Sequence, residues 1–215
     1  MIPVLVAATL LAPSVDTLRI PALTMRPAVD GRIDAGEYGE PVISLRAGAG
    51  VVRVRLGHHD GALFVAAEIP DSTSYWGDDL VVAVDLDGSG GSAPGAGDRL
   101  WILRRVADSS VVVIAAGNGR WEPAGGARSL GATRGGPGWT AGTSDAGSRW
   151  VAELRIDLPP DAPGSPRLAI RTFNDAPGPS WVAWPQPAGV PAQRVERVPD
   201  HWVPILRASA TPASR

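Results

Sequence analysis

At 215 residues the chain is long enough for one well-buried domain, and all-β domains of this size commonly stand alone. A net charge of −2 and an isoelectric point near 5.9 offer nothing to a nucleic-acid backbone or an anionic membrane surface. Cysteine is absent, which excludes disulfides, a thiolate nucleophile and a zinc–thiolate site. All 20 basic residues are Arg, and with 26 Gly and 21 Pro this composition points to a GC-rich coding sequence, so arginine abundance alone carries no functional weight. The eight Trp stand against two Phe and two Tyr, so indole is the aromatic this chain uses, in its core or on its surface.

In chain order, residues 1–14 are apolar and give way to polar sequence at Asp16. They are too few to span a bilayer, which needs roughly twenty. They match the hydrophobic region of a secretory signal, with Ala12, Pro13 and Ser14 as small residues near the cleavage position, though the basic start such signals carry is missing. An exported protein without stable membrane insertion is expected, with one domain over residues 15–210 and a disordered tail at 211–215.

The stretch Val29-Asp30-Gly31 to Gly39 reads as turns. From Val51 to Leu56 the residues alternate, with Val52, Val54 and Leu56 on one face and Arg53 and Arg55 on the other. The alternation resumes at Leu63, Val65, Ala67 and Ile69, so the two runs form a hairpin turning at Asp60-Gly61. His58 and His59 beside that turn point to opposite faces and are expected in solvent. Leu80–Val84 reads as a strand buried on both faces. Further strands are expected at Leu100–Val106, Val111–Ala115, Trp150–Ile156 and Leu168–Phe173, with loops and one or two short strands between Gly117 and Ser148. Amphipathic helices are absent. Many short strands with Gly/Pro turns predict an all-β fold, an antiparallel β-sandwich of the immunoglobulin or jelly-roll type.

The richest chemistry surrounds Leu80–Val84. Tyr75, Trp76, Asp78 and Asp79 precede this strand; Asp85, Asp87 and Ser89 follow it, and Asp98 comes after a Gly-rich loop. Oxygen ligands at alternate positions before a flexible turn suit a hard cation such as calcium, although Ala96 at the closing position excludes an EF-hand. Other constellations are weaker. Asp71, Asp78 and Asp79 with Glu68 and Glu153 suggest a glycosidase pair only by residue type, and Glu68 and Glu153, inside strands, are expected to pair with Arg53, Arg55 or Arg155. Ser, His and Asp never fall in a nucleophile-elbow context, and Met25 with a His has no spacing that supports haem ligation.

Taken together, VDGRIDAGEYG, VRVRLGHHDGALFVAAEIPDS, YWGDDLVVAVDLDG, WVAELRIDL and LAIRTFNDAPG, with Trp184-Pro185 near the end, resemble the family 9 carbohydrate-binding modules and the wider sandwich superfamily that includes DOMON domains. The resemblance covers roughly residues 28–207. It implies a non-catalytic sandwich that binds a polysaccharide or oligosaccharide between aromatic side chains, often with structural calcium. Trp76 falls where the first clamp Trp is expected; the segment after Trp184 that should carry the second has no matching Trp, so Trp181 or Trp202 would have to approach from nearby, with Trp184 a further candidate binding residue. The family acid on the strand after Trp76 is replaced here by Val82 or a neighbour. Two further readings follow from the same resemblance: an envelope interaction or structural module that has lost sugar binding, and a haem-binding relative.

Overall fold

The computed structural model describes residues 17–48, 50–73, 75–105, 111–123, 135–175 and 177–208. The expected leader at 1–14 and tail at 211–215 lie outside them. Fourteen strands form two sheets. In the first, the order is β1 (Leu18–Ile20), β14 (Val203–Arg207), β12 (Arg167–Asn174), β5 (Asp79–Asp85), β6 (Asp98–Arg104), β7 (Val111–Ala116) and β8 (Arg120–Pro123). Strand β13 (Ser180–Trp184) pairs with β12 off that path. The second sheet runs β2 (Ile43–Ala47), β3 (Gly50–His59), β4 (Ala62–Pro70), β11 (Arg149–Asp157), β10 (Trp139–Asp145) and β9 (Gly135–Gly136). All pairings are antiparallel except β1 with β14.

The period of two in the sequence dictates what lies between the sheets. Val52, Val54 and Leu56 of β3 and Leu63, Val65, Ala67 and Ile69 of β4 meet Leu80, Val82 and Val84 of β5 and Leu168 and Ile170 of β12 in the main core. Trp150 and Trp101 fill this core, so part of the indole content is packing. The β3–β4 hairpin turns at Asp60 and Gly61 with positive φ of 47° and 77°, the conformation for which Asp-Gly is suited.

Each sheet also has a covered outer face. On the first, Val81, Ala83, Leu100, Ala169 and Ala183 pack beneath Val195 of the 3₁₀ segment Ala192–Arg197 and Trp202, which follows the 3₁₀ segment Pro199–His201. This second cover is why β5 is buried on both faces. On the second sheet, Ala62, Phe64 and Ala66 lie beneath Tyr38, Leu23, Val29 and Ile33.

Two expectations change. Glu153 forms no arginine pair: Oε2 accepts the backbone N–H of Asp30, Gly31 and Arg32, at 3.1, 2.7 and 3.0 Å, and Oε1 accepts the Tyr38 hydroxyl at 2.9 Å. Gly31 lies so close to the Thr143 backbone that a Cβ would collide with it, which brings these N–H groups within reach. Glu68 does pair, with Arg55 at 3.2 Å. The histidines are not solvated turn residues. His58 Nε2 donates to the Ala208 carbonyl at 2.8 Å and His59 Nδ1 to the Leu23 carbonyl at 3.1 Å, tying both terminal segments to the hairpin.

Candidate functional site

The outer face of the first sheet is covered over most of its length but ends in an uncovered row. Residues directly opposite on adjacent strands share a face. The register sets Trp181 opposite Phe173, Phe173 opposite Asp79, and Asp79 opposite Arg104. Asp79 shares the outward parity of Val81 and Ala83, so the row Trp181–Phe173–Asp79–Arg104 continues the face that Trp202 and Val195 cover further along.

The loop before β5 completes the row. The Arg104 guanidinium carbon lies 5.7 Å from the Trp76 ring centroid, and Nη1 donates to the Trp76 carbonyl at 3.3 Å. Tyr75 lies 5.3 Å from Trp76 and 6.2 Å from Phe173; Phe173 lies 4.5 Å from Trp181. Four aromatic rings therefore form one continuous chain of contacts. Gly77 lies directly against the Tyr75 ring, where a Cβ would force that ring to shift. Trp76 is 68% exposed and Trp181 42%. Of the large hydrophobic residues exposed among those described, these two alone are aromatic.

Polar groups lie within the row. Asp79 is buried: its Oδ2 is 3.4 Å from Arg171 Nη2 and its Oδ1 has no hydrogen-bond partner. Burial raises its carboxyl to about 6, against the opposing pull of Arg171 and Arg104. Arg171 Nε in turn lies 3.6 Å from Glu196 Oε2, whose carboxyl burial also pushes up. An aromatic surface bordered by the Arg104 guanidinium presents ring faces for C–H stacking and a donor for hydroxyl oxygens, while the unpartnered Asp79 Oδ1 is itself enclosed beneath it. It is a surface and not a deep pocket. A groove of about 630 Å³, lined in part by Arg32, Glu68, Ser144, Arg149 and Val151, lies instead on the outer face of the second sheet.

The remaining expected binding residues lie elsewhere. Asp78 is wholly buried: its Oδ2 accepts the Tyr75 N–H at 3.0 Å and its Oδ1 the Asp175 N–H at 3.2 Å, so it shapes the loop and does not meet a ligand. Trp184 has the inward parity and packs against the core between the sheets. Trp202 is 2% exposed, stacks on Trp121 at 6.4 Å and donates its indole N–H to the Val195 carbonyl at 2.8 Å. Neither Trp184 nor Trp202 faces Trp76; of the three candidates only Trp181 shares its surface. Phe173, Arg104, Arg171 and Glu196 were not singled out from sequence. The outward parity of Phe173 and Arg171 within LAIRTFN was the available signal.

The expected metal residues cluster at the other end of β5. Asp85 is opposite Asp98 in the β5–β6 register. Asp85 Oδ1 accepts the N–H of Gly88 at 2.7 Å and of Ser89 at 3.2 Å, and Oδ2 that of Gly90 at 2.8 Å. Asp87 accepts the Ser89 N–H at 3.0 Å and lies against Gly97. Asp98 Oδ2 accepts the Gly95 N–H at 2.7 Å, while its Oδ1 is buried with no partner. Burial, with the charges of Asp85 and Asp87, raises Asp98 to about 6. The cluster thus offers one free buried oxygen on Asp98, while backbone donors occupy both oxygens of Asp85, Oδ1 of Asp87 and Oδ2 of Asp98. Among the described residues no three acidic, His or Cys side chains already close around one point.

Two solved structures have this architecture, both of a family 9 carbohydrate-binding module from Caldicellulosiruptor kristjanssonii. The complex with cellotriose aligns over 92% of this chain and 97% of its own, with a TM-score of 0.57 and 15% identity. The complex with glucose aligns over 91% and 98%, with a TM-score of 0.57 and 16% identity. The fold is that of a family 9 carbohydrate-binding module. At such identity the likeness establishes architecture, and the module's ligands are a property of those relatives. No family model and no curated protein sequence matches this chain. Among the described residues no helix is long and apolar enough to cross a membrane.

Proposed function

We propose that this chain is a non-catalytic, exported domain that binds a neutral polysaccharide or oligosaccharide across Trp76, Tyr75, Phe173 and Trp181. The observation that carries the reading is the pair of exposed indoles, Trp76 and Trp181, joined through the Tyr75 and Phe173 rings into one aromatic surface. A pyranose presents C–H groups to an indole face while its hydroxyls remain available to the Arg104 guanidinium beside Trp76. The cellotriose and glucose complexes of modules with the same fold support this ligand class. Nothing at the row supplies a nucleophile with an adjacent base, which favours recognition over catalysis. The apolar leader at residues 1–14 supports export.

The platform offers a few ring faces and a few hydrogen bonds, so a dissociation constant between about 1 μM and 1 mM is expected, or roughly −8 to −4 kcal/mol. A glycan-array screen of the protein, followed by titration calorimetry with its best ligand, tests the reading. Uniform failure to bind neutral glycans refutes it and leaves an interaction module of the envelope.

We also propose a calcium ion at the Asp85, Asp87, Ser89 and Asp98 cluster, supported by the unpartnered Asp98 oxygen beside two further carboxylates. Such an ion would tie the 86–97 loop to the strands and stabilise the folded state.

A further inference from the structure

The platform aromatics Tyr75 and Trp76 belong to the loop before β5, and Trp76 is largely exposed, held by the Tyr75 ring and Arg104 alone among the ring and cation contacts of the described residues. Its position therefore depends on the backbone that carries it. Two carboxylates shape that backbone. Asp71 Oδ1 accepts the Thr73 N–H at 2.8 Å and its hydroxyl at 3.0 Å; Asp78 accepts the Tyr75 N–H and returns its own N–H to the Tyr75 carbonyl at 3.1 Å. Both carboxylates are buried. Two neighbouring buried anions are costly without a compensating cation.

Arg105 supplies it. Its side chain is 2% exposed, and Nη1 lies 3.6 Å from Asp71 Oδ1 and 3.7 Å from Asp78 Oδ2. The same nitrogen donates to the Thr73 carbonyl. The other edge of the guanidinium forks onto Asp145, with Nε to Oδ2 at 2.8 Å and Nη2 to Oδ1 at 2.9 Å; Nη2 also donates to the Gly147 carbonyl at 3.0 Å. The Arg105 backbone N–H donates to the Asp78 carbonyl at 3.2 Å. Arg105 thus joins the end of β6 to the platform loop and to the 145–148 turn, which itself accepts the Asp71 N–H at the Ser148 carbonyl, 2.9 Å away. The planar fork matters because carboxylates and carbonyls surround it on two edges, an arrangement a lysine ammonium cannot span.

We infer that Arg105 is a positioning residue for the binding surface: it touches no ligand, and by neutralising Asp71 and Asp78 it fixes the loop that presents Tyr75 and Trp76. The platform role of those aromatics rests on the proposed glycan reading; the fixing of the loop does not.

The test uses Arg105→Met, which leaves Asp71 and Asp78 uncompensated, and the milder Asp145→Asn, which keeps the cation in the fold but weakens the fork that holds it against the platform loop. The Asn removes the charge from the exposed side of the fork yet keeps an oxygen to accept the Gly147 N–H, 2.8 Å away in the present structure. Hydrogen exchange measured by mass spectrometry should show amides of residues 71–78 exchanging at least about tenfold faster in Asp145→Asn, with those of β3, β4 and β11 unchanged. Cellotriose affinity, measured well below the melting temperature, should fall in parallel, and a purely structural role would leave it unmoved. Loop exchange that is unchanged, or that rises only with the whole molecule, overturns the inference. So does a loosened loop with undiminished cellotriose affinity. If the loop loosens but the wild-type protein binds no glycan, the positioning role stands and the sugar reading fails.

Discussion

Trp76→Ala separates a binding platform from a packing residue. Trp76 is 68% exposed, so about a third of its surface is covered. A Trp buries about 150–250 Å² when covered fully. A third of that, at about 25 cal/mol per Å², gives an upper limit of about 2 kcal/mol for its contribution to stability. The contact with Arg104 adds about 0.5–1 kcal/mol at an exposed site. Trp150, fully buried in the main core, should cost about 3–5 kcal/mol on the same change. Loss of stacking on an aromatic costs about 1–3 kcal/mol, taking base–aromatic stacking as an analogue, and each 1.4 kcal/mol is about tenfold in affinity. Titration calorimetry beside thermal melting should therefore show Trp76→Ala weakening glycan binding about tenfold or more with only a small fall in melting temperature. A large loss of stability with unchanged glycan affinity would refute the platform and return Trp76 to the fold.

Trp181→Ala should also weaken glycan binding by several-fold in calorimetry, while Trp202→Ala should act on stability, with a loss of about 3–5 kcal/mol in denaturant unfolding. Stability should fall as pH rises from about 4 to about 7. Burial holds Asp79 and Asp98 near 6 and Glu153 near 7, so in this window the folded state binds more protons than the unfolded one. Asp79→Asn should flatten part of that slope in melts across pH, and a slope of opposite sign would contradict the assignment of these buried groups. Millimolar calcium should raise the melting temperature, a chelator should lower it, and Asp98→Asn should abolish both responses; indifference to both additions ends the calcium proposal. Intact-mass measurement on protein from its native host should find residues 1–14 removed, and retained Met1 in exported material would contradict export.

The parts of this structure legible in the sequence are those set by local period. Alternation through Val52–Leu56 and Leu63–Ile69 placed the hairpin, Asp60-Gly61 placed its turn, and the unbroken apolar run Leu80–Val84 foretold a strand covered on both sides. The exposure of Trp76 was legible in its polar loop. The rest depends on contacts between distant segments. Trp181 reaches the row only through the β12–β13 register, which pairs it with Phe173. Trp202 lies in a C-terminal segment that folds back over β5, and nothing in its neighbours marks it as core. Glu153 finds its donors in the 30–32 turn more than a hundred residues earlier, and nothing in the sequence around either segment marks that meeting in place of a pair with Arg53, Arg55 or Arg155. The adjacent Arg104 and Arg105 read as one basic pair, yet one lies over an exposed indole while the other is buried among carboxylates.

The central claim is that a glycan lies across Trp76 and Trp181, and the eight indole N–H groups give a direct readout. In a ¹H–¹⁵N correlation experiment with assigned indole signals, titration with cellotriose should shift Trp76 and Trp181 together, saturably and with one dissociation constant. The indoles of Trp101, Trp150 and Trp202, enclosed in the two cores, should stay in place. Saturating cellotriose that leaves Trp76 and Trp181 unmoved, or that shifts other signals in their stead, would contradict it.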